Sequence, residues 1–173
     1  MGFANAPGVP SNVALRDVRL ALEWIRSNIG AFGGDVDRIT MFGQSQGAYL
    51  ISYYAYAYPN DPIASSFIQQ SGSAFSNVTQ TLAETASVWK QQAAIAGCNN
   101  TSNAATLDCM RAQSLSTILD AWASSNSLDP LRTPQNGPVI DGELIFANYS
   151  EKTLAGEFAR KVSRRGPHHL FLS

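Results

Sequence analysis

Gly43-Gln44-Ser45-Gln46-Gly47 is the stretch of this 173-residue sequence whose residue types and spacing could do chemistry. It follows a short β-rich run, Arg38-Ile-Thr-Met-Phe42, and precedes a helical pattern of Ala48, Leu50, Ile51, Tyr54, Ala55 and Tyr58 closed by Pro59. A serine two residues from a glycine on each side, at a strand-to-helix turn, is the pattern of a nucleophile elbow. So sharp a turn holds the serine in a strained conformation. It also brings strand and helix so close that a Cβ at either flanking position is expected to clash, hence Gly43 and Gly47. The Ser45 hydroxyl is then expected above the carboxyl end of the sheet, where open α/β sheets bind ligands. The helix start offers unpaired N–H groups and a partial positive charge. The Gln46 N–H could donate one hydrogen bond to the oxyanion of an acyl-transfer intermediate. The simpler use of the same serine is to cap the helix.

The elements that would position this turn follow from pattern. Pro7-Gly8-Val9-Pro10 is a loop, and Ser11 or Asn12 is the expected cap of a helix carrying Leu15, Val18, Leu22, Ile25 and Ile29 at spacings of 3, 4, 3 and 4. Arg16, Arg19, Glu23 and Arg26 fall on its expected wet side, and Gly30 and Gly33-Gly34 end it. The strand at 38–42 is expected to be buried, and Ser66-Phe-Ile-Gln69 is the next strand, stopped by Ser71-Gly72. With the helix at 46–58 these make a βαβ unit with parallel strands and a right-handed crossover. Helices are expected at Leu82–Ala96, with Leu82, Ala86, Trp89, Ala93 and Ile95 on its apolar face, at Ala104–Ala112 and at Leu115–Ser124. Pro138-Val-Ile140 reads as a strand, residues 151–160 as a turn or two of helix, and 99–106 and 129–138 as loops. The fold class is α/β, with a mostly parallel sheet and helices around the elbow.

Composition narrows the function classes. Hydrophobic residues make up 45% and charged residues only 14%, with a net charge of −1. That supports one packed domain and excludes a polyelectrolyte chain; it disfavours nucleic-acid binding, which rests on clustered Lys and Arg. No apolar run approaches a membrane helix, and the Met1-Gly-Phe-Ala-Asn start shows no signal peptide. Arg160, Lys161, Arg164 and Arg165 give residues 160–173 a basic character unlike the rest. Such a tail serves as an interaction arm or is foreign to the domain. His168 and His169, the two histidines, fall in this stretch, which lacks periodicity and reads as a solvated tail. No other residues have metal-ligand spacing, so neither a metal nor another cofactor is expected. Asn77, Asn99, Asn100 and Asn148 each begin an Asn-x-Ser/Thr glycosylation pattern, two of them beside Cys98. These features favour a secreted protein. Cys98 and Cys109, 11 residues apart, make no framework on their own. Asp35 and Arg38 could pair to pin the loop before the strand, and Asp141 reads as structural.

Beyond the elbow, the sequence resembles the type-B carboxylesterase/lipase family, α/β-hydrolases that include cholinesterases and secreted fungal lipases. Asn12-x-x-Leu15-x-Asp17, Ala21-Leu22-Glu23-Trp24-Ile25, Asn28-Ile29-x-x-Phe32-Gly33-Gly34-Asp35 and Ile39-Thr40-x-Phe42-Gly43-x-Ser45-x-Gly47-Ala48 are similar to its segments in order. Gln70-Ser71-Gly72-Ser73 and Pro138-Val-Ile-Asp141-Gly142 extend the similarity, which covers roughly residues 2–162. Ala14 stands where a glycine is usual, and Gln44 and Gln46 stand where the family has Glu and Ala. Both glutamines put transfer of a substrate preference in doubt. The resemblance implies a partial α/β-hydrolase domain over 1–160 followed by a basic tail at 161–173. It implies Ser45 as nucleophile, the Gln46 N–H in the oxyanion hole, and a small-loop disulfide between Cys98 and Cys109.

The resemblance further implies ester hydrolysis through an acyl-enzyme, with a small-molecule or lipid ester as substrate. In the family, a Gly-rich loop with the other oxyanion donors lies upstream. The triad acid follows shortly after the segment resembled by Ala155-Gly156-Glu157-Phe158-Ala159, and the histidine lies far downstream. These 173 residues are therefore expected to be catalytically negligible alone. The alternative is a non-catalytic binding or adhesion module, or a degenerate product, on the same fold.

Overall fold

The structure, a computed structural model, describes residues 2–76, 79–126 and 136–160. Its elements run α1 (Val13–Asn28), a 3-10 turn (Ile29–Phe32), β1 (Thr40–Gln44), α2 (Gln46–Ala57), β2 (Ser66–Gln70), α3 (Leu82–Ile95), α4 (Asn103–Ala112), α5 (Leu115–Asn126) and α6 (Tyr149–Ala155). They fall into two compact units: an elbow unit, Ala14–Asn77 with Gly142–Ser173, and a disulfide unit, Met1–Val13 with Val78–Asp141. The basic tail 161–173, Asn77 and most of the 129–138 loop lie outside the described residues.

In the elbow unit, β1 and β2 pair in parallel from Thr40↔Ser66 to Gln44↔Gln70, with α2 as the connection. This is the expected βαβ order. β1 starts at Thr40, two residues later than the β-rich run suggests, because Arg38 belongs to the loop. Its N–H and guanidinium both reach back to Asp35, the latter at 2.7 Å. The Asp37 N–H, and then that guanidinium, hold the Asp35 carboxyl below the ordinary carboxylate range.

α2 is buried on every side, from Ile51 through Tyr56 without a break, as a helix with apolar residues all round must be. The Tyr56 ring meets Tyr149 edge-on at 4.9 Å, and its hydroxyl shares a 2.7 Å hydrogen bond with Thr153 of α6. The Ala159 N–H donates to the Ala55 carbonyl.

α1 buries Leu15 and Leu22 on the expected stripe. The expectation that Arg19 lies on the wet side is wrong: only 16% of its side chain is exposed. Its guanidinium donates to the Asp61 carboxylate at 2.6 Å, to Glu23 at 2.7 Å and to the Tyr54 hydroxyl, and lies over the Tyr58 ring. Partial burial opposes the charge, but these bonds outweigh it and raise the Arg19 pKa. Arg26 also turns to Asp61 rather than to Glu23. Asp61 follows α2, so these contacts tie the end of α2 to α1. The Arg19 bond first, and Arg26 with it, push the Asp61 carboxyl down, while burial raises the Tyr54 and Tyr58 hydroxyls.

A second correction concerns β1, expected to be buried. Phe42 is 64% exposed and its register partner Ile68 is 49% exposed. Successive side chains alternate faces, so these two share one. Among the described residues nothing layers over that face, whereas Phe67 on the other is buried.

In the disulfide unit, α3 opens with a capping box between Thr81 and Glu84, whose carboxyl is held low by the Thr81 N–H and hydroxyl. The buried face of α3 is Thr85, Val88, Trp89, Gln92 and Ala93. Leu82 and Ile95, assigned to that face from pattern, are exposed: they are the first and last residues of α3, at the ends of the packed stretch. Cys98 and Cys109 are bonded to each other and pack with Ala6, Trp89, Ala93, Ala96, Met110 and Ala121. The expected strand at Pro138–Ile140 reduces to a single parallel bridge between Gln80 and Val139.

Asn12, one of two expected helix caps, has another task. It is fully buried, in the left-handed region at φ 56. Its carboxamide donates to the Val139 carbonyl (2.8 Å) and to the Asp141 carboxylate (2.7 Å), and accepts from the Val139 N–H (2.9 Å). Its own N–H donates to the Asn5 side chain. Asn12 thus replaces a strand partner for Val139, and Asp141 is the structural residue the sequence suggests.

Asn12→Asp sets a second carboxylate against Asp141 and removes the donor to Val139. It should cost about 3 kcal/mol at neutral pH. The repulsion raises the folded-state carboxyl pKa, so part of the loss should return on acidification, read as urea midpoints at the two pH values. Asp61 and Asp35 act oppositely. Their depressed folded-state pKa values stabilise the fold above the ordinary carboxylate range, and this is lost as pH falls through the lower folded values. Asp61→Asn should therefore lower the melting temperature at neutral pH, and the difference should vanish in acid.

Candidate active site

Ser45 stands between β1 and α2, with its backbone bonded to both. Its N–H donates to the Gln70 carbonyl at 2.9 Å, extending the ladder one residue beyond the end of β1. Its carbonyl accepts from the Ala48 N–H (2.9 Å) and the Tyr49 N–H (3.1 Å), starting the helix. Serving sheet and helix at once requires φ 51 and ψ −117, outside the regions open to L-residues. Such a conformation costs on the order of 1–3 kcal/mol. The hydroxyl makes no capping hydrogen bond, and the residue is exposed. The simpler reading of Ser45 as a helix cap therefore fails.

The structure brings together Gly43, Gln44, Ser45, Gln46 and Gly47, and adds two residues. An ideal Cβ at Gly43 would lie 2.6 Å from the Gly47 carbonyl carbon and 2.7 Å from its oxygen, so the turn tolerates none. The expectation that Gly47 is equally restricted is wrong: a Cβ there meets nothing within 4 Å outside its own helix. The clash is one-sided because Gly43 points at the Gly47 backbone. Gly72, expected only to stop the second strand, is restricted as well. A Cβ on it would stand 2.8 Å from the Ser45 carbonyl oxygen and 3.1 Å from the Ala48 Cβ. Ser71, next to it, also lies in the left-handed region at φ 56. The signal was the Ser71-Gly72 stop after β2, whose register sets it beside the elbow.

Gln46 is the first residue of α2, where backbone N–H groups have no intrahelical acceptor. Gln44 and Gln70 face each other across the ladder end. Among the described residues no group of three or more His, Cys, Asp or Glu is placed to hold a metal. No helix among them is long and apolar enough to cross a membrane. His168 and His169 lie outside the described residues. Of the glycosylation candidates, Asn99 and Asn100 are exposed in the disulfide unit, while Asn148 caps α6 by accepting from the Glu151 N–H.

A sequence model of the carboxylesterase family matches residues 1–163. The chain is 37% identical to the chlorogenic acid esterase of Aspergillus niger over 92% of its own length and 30% of that protein's. It is 46% identical to secreted lipase 5 of Gibberella zeae over 43% of its length and 15% of that protein's. It is 32% identical to lipase 2 of Geotrichum candidum over 87% and 29%. The matched part thus spans less than a third of each of these relatives.

The glycine geometry makes an asymmetric prediction. Gly43→Ala and Gly72→Ala should each destabilise the chain by about 2 kcal/mol or more, because backbone must move. Gly47→Ala should leave the melting temperature near wild type or raise it. Thermal unfolding of the three variants decides.

Proposed function

The chain belongs to the carboxylesterase family, and on that premise we propose that it carries the nucleophile of a carboxylic ester hydrolase, Ser45. The observation that carries this reading is the strained backbone of Ser45, with its hydroxyl left exposed and unused by the helix start. A residue held at that cost without serving the fold through its side chain is expected at a functional position.

On this reading, the Ser45 Oγ attacks the carbonyl carbon of an ester. The electron pair moves onto the carbonyl oxygen, which the Gln46 N–H stabilises as part of the oxyanion hole. A histidine takes the hydroxyl proton and passes it to the leaving alcohol, an acid orients that histidine, and water repeats the sequence on the acyl-enzyme. The described residues hold no histidine, and in the family the acid and the histidine follow the segment matched here. The 173 residues alone are then inactive, since loss of triad members costs on the order of 10⁴ to 10⁶ in turnover. The substrate is a small-molecule or lipid ester. The domain covers residues 1–160. The Cys98–Cys109 bond and a relative named as a secreted lipase support an extracellular setting.

The test is a chimera in which this chain replaces the matched segment of the Aspergillus niger chlorogenic acid esterase. It should hydrolyse a short p-nitrophenyl ester and be labelled at Ser45 by a fluorophosphonate, and Ser45→Ala should abolish both. A folded chimera that turns over the ester with Ser45 replaced would overturn the reading. The isolated chain should show no Ser45-dependent hydrolysis.

A further inference from the structure

The segment after Cys98 carries two overlapping glycosylation patterns: Asn99-Asn100-Thr101, whose acceptor is Asn99, and Asn100-Thr101-Ser102, whose acceptor is Asn100. We propose that Asn99 is an N-glycosylation site and that Asn100 is not. All four residues are exposed, immediately after a fully buried and disulfide-bonded Cys98. The structure uses them differently. Ser102 caps α4: its hydroxyl accepts from the Ala105 N–H at 3.2 Å and its carbonyl from the Thr106 hydroxyl at 2.9 Å. The Asn100 carboxamide nitrogen donates to the Ala105 carbonyl at 3.4 Å. The nitrogen that would bear a sugar on Asn100 and the hydroxyl that completes its pattern are thus both engaged in the start of α4. The Asn99 carboxamide and the Thr101 hydroxyl bond to no described residue.

The geometry therefore lets Asn99 carry a bulky polar group in solvent with α4 intact. On Asn100 the same group would sit on the nitrogen that donates to Ala105, beside a Ser102 hydroxyl already committed to the start of α4. Asn148 is a poorer acceptor, because its pattern runs into the first turn of α6 through buried Tyr149. In the transfer, the Asn99 Nδ2 attacks C1 of a polyprenyl-pyrophosphate-linked oligosaccharide. The N–C1 bond forms, the C1–O bond to pyrophosphate breaks, the polyprenyl pyrophosphate leaves, and the Nδ2 gives one proton to a base of the transferase. The inference rests on the extracellular reading and is independent of the catalytic one.

The experiment expresses the full chain behind a fused leader peptide in a eukaryotic host, so entry to the secretory route is imposed and no activity is read. Chain from cells and medium is treated with peptide-N-glycosidase, which converts a glycosylated Asn to Asp. The tryptic peptide of residues 91–111 is then sequenced by mass spectrometry. Asp is expected at position 99 and Asn at position 100. Thr101→Ala, which destroys only the Asn99 pattern, should remove the glycan from this peptide. Ser102→Ala, which destroys only the Asn100 pattern, should retain it. Conversion at position 100, a peptide without glycan in the wild-type chain, or loss of the glycan in Ser102→Ala but not in Thr101→Ala would overturn the proposal.

Discussion

One residue's backbone closes a parallel ladder and opens a helix. The Ser45 N–H extends the strand pairing, while its carbonyl begins α2 one residue later. No L-residue does both in a relaxed conformation, and much of the elbow unit answers that constraint. Gly43 has no Cβ because the Gly47 carbonyl occupies its place, and Gly72 has none because the Ser45 carbonyl does. The strain and the exposed hydroxyl are two results of one geometry. A relaxed turn would let the side chain fold over the first N–H groups of α2, as serine does at ordinary helix starts.

Strain persists only where the surroundings over-determine it, and α2 supplies that restraint. Its middle is buried on all sides, the Tyr56 ring is wedged against Tyr149, and its far end is tied through Asp61 to Arg19 on α1. The helix cannot swing to relieve its first residue without breaking aromatic packing at its centre and a charge-assisted bond at its end. The disulfide unit solves a different problem in the same chemical terms. There Asn12 gives Val139 both hydrogen bonds that a neighbouring strand would have given.

Much of this was legible in the sequence, and what was not has physical reasons. Among the described residues, glycine spacing, a β-rich run and helical stripes located the elbow, β1, β2 and the helices α1 to α5 to within a few residues, because each depends on local pattern; the last helix, expected over 151–160, ends at Ala155 because Gly156 turns the chain into the left-handed region. The Asp35–Arg38 pair was legible because its partners are three residues apart. Arg19 was misplaced because its partner Asp61 is 42 residues away, and a helical wheel shows no such partner. Gly47 was misjudged because the pattern is symmetric about Ser45, whereas the turn is not. Gly72 was missed because its crowding comes from the ladder register rather than from its neighbours in sequence. Asn12 looked like a helix cap because caps and strand surrogates use the same residue types. The exposure of Phe42 was hidden because an apolar strand looks the same whether or not a layer covers it.

Ser45 is held in a backbone conformation unfavourable for a residue with a Cβ. This is tested most directly by comparing the thermal stability of Ser45→Gly with that of Ser45→Ala. At φ 51 and ψ −117, glycine should relieve strain of about 1–3 kcal/mol, more than the roughly 0.5–1 kcal/mol that its flexibility costs elsewhere. The glycine variant should therefore unfold at the higher temperature. If it unfolds at the lower one, by the ordinary glycine penalty, position 45 is unstrained and the account of the elbow is wrong.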